Sequence, residues 1–356
     1  MKTPIIEGVT QAGLESYLTA RQYEELYWPT FFPTKTVDRL DGQTLIGAVG
    51  SRVAAHVISY NAKAPEAGRK TLSTLNFDIP KIAQSRRKTE KEILEHRIAK
   101  SLRGQNAVIE DYFNDIDFVY DSAQARKEWY TLQALSGTKI QLTTTNNPQG
   151  IVNESVIDFG MPAANKAYAS VAWTTALKAT MDPITDFKAV IKSARAKGIT
   201  FSRILMTSDS FDLMQAATLF KAYFLNTALN VTAPINLEVV NTLLGSYRLP
   251  PITLIDTSVG IEAKSGTVTA TNPWKADHIT FIPDIKCGDM FSGPIAEQLE
   301  PPDGVLLSKK GDVSMSIRRE YNPVSVLTKA ECNVFPSWTN VDRCFSLYTL
   351  SDSAWA

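Results

Sequence analysis

Apolar side chains between residues 108 and 135 recur three or four positions apart, which is the spacing of one face of an α-helix. Gly137 follows the last of them and is a typical helix end. The pattern predicts a long helix over residues 105–136. Its apolar series is Ile109, Tyr112, Phe113, Ile116, Val119, Tyr120, Ala123, Trp129, Leu132 and Leu135.

Two β-prone runs precede this helix. Residues 45–60 are rich in valine, alanine and isoleucine, residues 71–80 alternate imperfectly between apolar and polar, and a polar stretch separates them. We expect a two-stranded hairpin, and arms of about fifteen residues each would give it a reach of about 50 Å. Because an isolated two-stranded hairpin is marginal in water, this one needs support from another surface.

The rest of the chain predicts a mixture of helices and strands. Residues 138–160 are typical of a hairpin, Asp182-Pro183 opens a helix that ends at Gly198, and residues 201–207 and 208–224 predict a strand and a helix. Further strands are predicted within 250–261, 276–284 and 314–321. This order indicates an α+β protein.

The segment between residues 21 and 40 is rich in aromatic side chains but holds Pro29 and Pro33, which exclude a helix interior or a central strand. Burying the aromatics and ordering the backbone have opposing free energies of similar size. We therefore expect this arm to be loose on a single subunit and to order against a neighbouring one. The alternative is that it packs under its own domain. The aromatics are Tyr23, Tyr27, Trp28, Phe31 and Phe32.

The composition narrows the class of protein. Lysine plus arginine and aspartate plus glutamate are equal at 37 each, which argues against a dedicated nucleic-acid binder and suits self-association. Three distant cysteines indicate reduced thiols rather than a disulfide framework. No apolar run is long enough to span a membrane, and the N-terminus is too polar for a signal peptide. The sequence predicts synthesis and use in a cytoplasm.

The sequence carries little sign of a catalytic or metal-binding site. The three histidines have no ligand spacing, and no dinucleotide, phosphate-loop or nucleophile-elbow motif is present. The acidic residues at 111, 115, 117 and 121 could bind a hard cation, but a solvated or partner-facing helix face is favoured. No catalytic residue, metal site or cofactor is predicted, and a set of scattered catalytic residues stays open.

The order of these features resembles the major capsid proteins of tailed bacteriophages, in the lambda-type family called major capsid protein E. The resemblance covers nearly the whole chain through short motifs in a shared order. They are Arg126-Lys127-Glu128 leading to Leu135, Gly137 and Lys139, then Asp158-Phe159-Gly160, Trp173, Asp182-Pro183, the run MFSGPIAEQLEPP, and the closing FPSWTNVDRCFSLYTL.

The resemblance implies the Hong Kong 97 capsid fold, with an N-terminal arm, an extended E-loop hairpin, a P-domain built on a spine helix, and an A-domain. The limits carried over are 1–43 for the arm, 44–85 for the E-loop, 86–185 for the P-domain with its spine helix at 105–136, 186–305 for the A-domain, and 306–356 for the return to the P-domain.

Within that fold, a basic block at 81–103, expected to be a crossover, precedes acidic residues on the spine helix. We hypothesise that basic side chains at the base of the E-loop face acidic ones of an adjacent subunit, together with the arm aromatics. Neutralisation within one chain, or a plain solvated face, is the alternative. The predicted inter-subunit residues are Arg86, Arg87, Lys88, Asp111, Asp115 and Asp117.

The implied function is self-assembly into the pentamers and hexamers of an icosahedral head enclosing double-stranded DNA, with expansion from a procapsid. Nonspecific contact with that DNA is the weaker use of the basic block. Only about forty residues precede the E-loop, so a separate scaffold protein is expected, with a portal and a decoration protein as further partners. The protein would assemble in the host cytoplasm and reside in the virion. Cross-linking through Lys63, Lys70 or Lys81 is not expected.

Other functions remain open at this point. An encapsulin-like compartment shell would share the fold but carry an enzyme cargo. A cytoplasmic homo-oligomeric enzyme would elute as a small oligomer, whereas a capsid protein would elute as capsomers or far larger particles. A tail tube protein is disfavoured by the long helix.

Overall fold

The computed structural model of the protein describes residues 11–23, 25–46, 73–95, 105–149, 156–226 and 236–350. Residues 90–95 are helical, and the other helices of the described residues carry the labels below. Those helices are α1 (Gln11–Ala20), α2 (Trp28–Phe31), α3 (Gln105–Gly137), α4 (Pro183–Ala196), α5 (Ser208–Ala216), α6 (Thr218–Asn226), α7 (Leu237–Ser246) and α8 (Ala296–Leu299).

Within the described residues, the strands form two main sheets and three two-stranded ladders. They are β1 (Thr34–Thr36), β2 (Asp41–Ile46), β3 (Ser73–Asp78), β4 (Lys81–Lys88), β5 (Lys139–Gln141), β6 (Val156–Asp158), β7 (Lys166–Tyr168), β8 (Arg203–Met206), β9 (Ile252–Leu254), β10 (Val259–Glu262), β11 (Val268–Thr271), β12 (His278–Ile282), β13 (Asp289–Ser292), β14 (Val305–Lys310), β15 (Val313–Tyr321), β16 (Val324–Ser337) and β17 (Phe345–Tyr348).

The first sheet has the order β1-β13-β16-β15-β14, and β4 also pairs with β16. The 14-residue strand β16 can serve β13 and β4 in succession, because β13 pairs with its last four residues and β4 with the eight before them. The long helix α3 lies across this sheet. Ile116 and Leu132 of the helix and Met315 and Ala330 of the sheet are fully buried in the first core.

The second sheet has the order β7-β17-β12-β8-β9, in which β12 runs antiparallel to both of its neighbours. Helix α4 packs against this sheet, and residues at both of its ends stabilise it as a helix. Asp182 accepts the backbone N–H of Thr185, Pro183 fills the first turn, and Gly198 takes a φ of +70° just past the end. Phe187 of α4 and Phe281 of β12 meet edge to face in the second core.

Two described stretches carry the chain directly from one main sheet to the other. Residues 283–288 lead from β12 to β13, and residues 338–344 lead from β16 to β17. We call these two stretches the crossing segments. Because both join the same pair of sheets, they contribute to how one core sits against the other.

Several predicted elements are confirmed. The long helix spans Gln105–Gly137, the hairpin at 138–160 pairs β5 with β6, and the base of the earlier hairpin pairs β2 with β3. The outer part of that hairpin, with Lys63 and Lys70, lies outside the described residues. The domain limits stay predictions, although the second sheet draws β7 and β17 from outside 186–305.

Two predicted elements were wrong in form. The basic block begins as the sheet strand β4, not as a crossover, because its backbone pairs with β16. The helix predicted over 208–224 divides at Ala217, whose backbone is extended. The next N–H, that of Thr218, donates to the carbonyl of Lys178 at 2.9 Å, so a tertiary hydrogen bond replaces a helical one without any glycine or proline as a signal.

Candidate assembly site of the arm and the long helix

A buried carboxylate on α3 holds the arm by its backbone. Glu128 is fully buried and accepts the N–H of Tyr27 at 3.1 Å and the N–H of Trp28 at 2.8 Å. These N–H groups lie at the start of the short helix α2, where backbone donors lack helical partners. A negative charge at that end also matches the direction of the peptide dipoles. Glu128 therefore fixes where the arm meets the long helix.

The neighbouring residue on α3 carries the opposite charge into the same core. Lys127 is fully buried, forms an ion pair with Asp312 in the turn between β14 and β15, and lies 4.8 Å from the centre of the Trp28 ring. The Trp28 indole N–H donates to Gln124 at 3.1 Å. A buried lysine is tolerated here because a carboxylate and an aromatic face replace its water.

Asp117, eleven residues before Glu128 on α3, fixes the first part of the arm. It accepts the hydroxyl of Tyr17 at 2.6 Å and that of Tyr23 at 2.8 Å, and the Arg21 guanidinium lies 3.2 Å from it. Burial and the hydrogen bond to Asp117 raise the pKa of Tyr17 to about 12 and also raise the pKa of Tyr23. The two phenols therefore stay neutral donors throughout the physiological range.

Lys310 of β14 completes this contact. Its ammonium group donates to the carbonyls of Leu18 and Arg21, at the carboxyl end of α1 where helix carbonyls lack partners, and lies 4.3 Å from the Tyr23 ring centre. Burial lowers the pKa of Lys310. Helix α1 is thus held to the long helix and to the first sheet together.

The end of the arm joins the first sheet through its backbone. Phe31 and Phe32 are buried in the first core, and the Phe31 carbonyl accepts the N–H of Cys287 at 2.8 Å. Pro33 then accepts the N–H of Met290 at 2.9 Å and leads into β1, which pairs in parallel with β13. The arm therefore contacts one of the crossing segments directly.

These contacts correct the argument that the aromatic segment lacks a surface within its own subunit. All five aromatics pack on the first core of the same chain, with Trp28, Phe31 and Phe32 buried and Tyr23 and Tyr27 half-buried. The balance of burial against entropy omitted the charged hydrogen bonds from Glu128 and Asp117. Whether a neighbour also contacts the segment stays a prediction.

The basic residues at the base of the hairpin also find acidic partners on their own chain. Asp115 lies 3.5 Å from Arg86 and 3.0 Å from Lys88. The Arg86 guanidinium stacks 3.6 Å from the centre of the Phe118 ring. Of the two basic side chains at Asp115, Lys88 is 10% exposed and Arg86 is 46% exposed, so only Arg86 presents much surface to a neighbour.

The other predicted charges are distributed differently. Arg87 is 49% exposed and pairs with Glu320 at 2.9 Å, and Lys81 pairs with the buried Glu331 at 2.6 Å. Asp117 serves the arm rather than the basic block. The side chain of Asp111 lies outside the described residues. The predicted contact between subunits through these residues is untested and stays a prediction.

Sequence reasoning missed Lys127, Glu128 and Asp312 as the centre of this site. The first two belong to a motif that carried the family resemblance, but charged residues are normally exposed, and no local pattern marks them as buried. Within the described residues, no three histidine, cysteine or acidic side chains are arranged to hold a metal ion. In the same part of the chain, no helix combines the length and apolar composition needed to cross a bilayer.

Comparison with solved structures identifies the fold. A prophage capsid protein from Escherichia coli CFT073 superposes with a TM-score of 0.60 at 13% identity, over 96% of this chain and 99% of that one. A phage-related protein from Bordetella bronchiseptica RB50 gives a TM-score of 0.53 at 11% identity, over 96% and 97%. The α+β architecture is therefore that of the Hong Kong 97 capsid fold.

A search of curated proteins gives no match. The sequence profile described as phage major capsid protein E, in contrast, matches residues 44–348, a range that includes both main sheets except β1. The chain belongs to the phage major capsid protein E family.

Proposed function

We propose that this capsid protein self-assembles into the pentamers and hexamers of an icosahedral phage head that encloses double-stranded DNA. The family match over residues 44–348 is the observation that carries the proposal. The fold supports it, because the likeness to a prophage capsid protein covers nearly all of both chains. The role is that of a shell component rather than an enzyme, and the site of action is the virion.

The contacts between subunits are proposed to use the exposed remainder of the arm and the hairpin base. Tyr23 and Tyr27 keep part of their surface accessible, and Arg86 and Arg87 are about half exposed. Each exposed ion pair is worth about 0.2–1 kcal/mol, but a closed shell repeats the contact in every subunit and uses it to fix register. Lys88 has less surface for this role, because its own chain covers most of its side chain.

Assembly is proposed to occur in the host cytoplasm with a separate scaffold protein and a portal, and a decoration protein is a further partner. Expansion of a procapsid would rotate the two cores relative to each other. The long helix opposes free rotation, because Thr280 of β12 donates its hydroxyl proton to the Leu135 carbonyl at 2.7 Å and so joins the second sheet to α3. Contact with the packaged DNA is proposed to be nonspecific.

Electron cryomicroscopy of the expressed protein tests the proposal. We expect closed shells with fivefold and sixfold capsomers, alone or with the scaffold co-expressed. A protein that stays a monomer or a small oligomer under both conditions would refute it. Shells filled with an enzyme rather than DNA in the native host would instead favour an encapsulin-like compartment.

A further inference from the structure

Two cysteines lie on the two crossing segments that join the sheets. Cys287 is in 283–288 and Cys344 is in 338–344, and both are fully buried free thiols. The two cysteines are 57 positions apart in the sequence. The third thiol, Cys332, lies within β16 of the first sheet instead.

The crossing segments contact each other at several positions. The Asn340 side chain donates to the Lys286 carbonyl at 3.3 Å, and Arg343 lies 3.6 Å from Asp284. At Gly288 a Cβ atom would lie 1.9 Å from the Ser337 carbonyl oxygen, so only glycine allows this approach. Both thiols are thus adjacent to residues that join the two segments.

The two thiols are neighbours. The Cys344 sulfur lies 3.7 Å from the side-chain oxygen of Asn340, and the amide nitrogen of that side chain donates to the carbonyl of Lys286, the residue before Cys287. The adjacent Cys344 thiol, together with burial, raises the pKa of Cys287 well above its ordinary value. A disulfide needs its sulfur atoms about 2.05 Å apart and its Cα atoms about 4.4–6.8 Å apart.

We propose that Cys287 and Cys344 are a latent disulfide pair whose oxidation clamps the two crossing segments together. The oxidant is a small-molecule disulfide such as oxidised glutathione. One protein thiolate attacks its sulfur and releases a first reduced glutathione. The second protein thiolate then attacks the mixed disulfide and releases another, so two thiol protons and two electrons pass from the protein to glutathione.

Burial determines when this reaction occurs. A raised thiol pKa and the absence of exposed surface make the folded pair slow to react, so oxidation requires the crossing segments to open transiently. The biological timing rests on the proposed function, because a shell assembled in a reducing cytoplasm meets an oxidising medium after its release. The clamp would then fix one core against the other in the finished particle.

Incubation of the purified full chain with excess oxidised glutathione tests the proposal. We expect the intact mass to fall by two hydrogens, and a peptide linking 287 to 344 to be found without reduction. Cys287→Ser and Cys344→Ser must each abolish the link. Cys332→Ser is the matched control and must keep it, because Cys332 is equally buried but lies outside the crossing segments, with a pKa that burial raises to about 12.

A second measurement separates the clamp from incidental oxidation. The oxidised protein should show slower amide hydrogen exchange in both crossing segments, reversed by a reducing agent. Any of three results would overturn the proposal. They are glutathione adducts that persist, a link that forms without slowed exchange, and three thiols that stay reduced even at temperatures where the crossing segments exchange. Because the assay uses the free protein and no particles, a negative result leaves the proposed shell function untouched. Normal shells formed by Cys344→Ser would likewise not count as support for the disulfide.

Discussion

Replacing Glu128 with glutamine is the sharpest test of how the arm is held. The carboxylate accepts two backbone N–H groups, at 2.8 and 3.1 Å, inside a fully buried site. Glutamine keeps the volume but offers one acceptor oxygen and turns an NH2 group toward the second donor. A hydrogen bond to a charged group is worth about 1.5–3 kcal/mol, so we expect E128Q to destabilise the docked arm by about that amount.

Hydrogen exchange measured by mass spectrometry reports this local opening directly. At about 1.4 kcal/mol per factor of ten, amides of residues 25–33 should exchange about 10- to 150-fold faster in E128Q. Glu238→Gln removes a charge from an exposed position on α7, far from the arm in sequence, and should leave these amides unchanged. Exchange in 25–33 that stays within twofold of the unmodified protein in E128Q would show that Glu128 does not hold the arm.

Three further changes test contacts of the arm, of the second core and of the hairpin base. The pKa of Tyr17 is raised from 10.0 to about 12, so the neutral phenol stabilises the docked arm below about pH 10 and loses this contribution as the pH rises through about 12. Proteolytic release of the arm should accelerate over that window, and Y17F should remove the part that depends on the Asp117 hydrogen bond; a flat profile would contradict the assignment. Asp186 accepts three hydrogen bonds in the second core, so Asp186→Ala should cost about 3 kcal/mol and lower the melting temperature by about 6–12 °C, and an unchanged melting curve would contradict this. Reversing Arg86 and Arg87 to glutamate should lower particle yield, whereas undiminished shells would remove both residues from the proposed interface.

The elements that sequence predicted well are those whose signals are local. The long helix follows from a helical period repeated over nearly thirty residues, and α4 follows from a capping aspartate, a proline and a glycine at its ends. Both signals depend only on residues within the element. Such elements form wherever the rest of the chain permits them.

The arm could not be placed by the same reasoning, because its partners are remote. Tyr27 and Glu128 are 101 positions apart, and Tyr17 and Asp117 are 100 apart. A single sequence contains no information that pairs such residues. Apolar burial and backbone entropy alone predict a loose arm, but the structure places Glu128 and Asp117 under the arm, where both accept its hydrogen bonds.

The crossing segments were equally hidden from sequence. Cys287 and Cys344 look unrelated in a chain with three scattered cysteines, and only the order of strands in the two sheets brings their segments side by side. The sequence shows a glycine at position 288 but not the reason for it, which is the close approach of the Ser337 carbonyl oxygen. The fold class is therefore predictable from local patterns and the site is not, because the site consists of long-range contacts.

Glu128 recognises two amide protons rather than side chains, so its contact does not depend on which side chain stands at position 27. Every amino acid except proline supplies the same donor there. The backbone angles of Tyr27, φ −75° and ψ −30°, would suit proline well, so a Tyr27→Pro variant would lose the donor and keep the shape. The partly exposed surface at position 27 can therefore change while this hydrogen bond to Glu128 is kept.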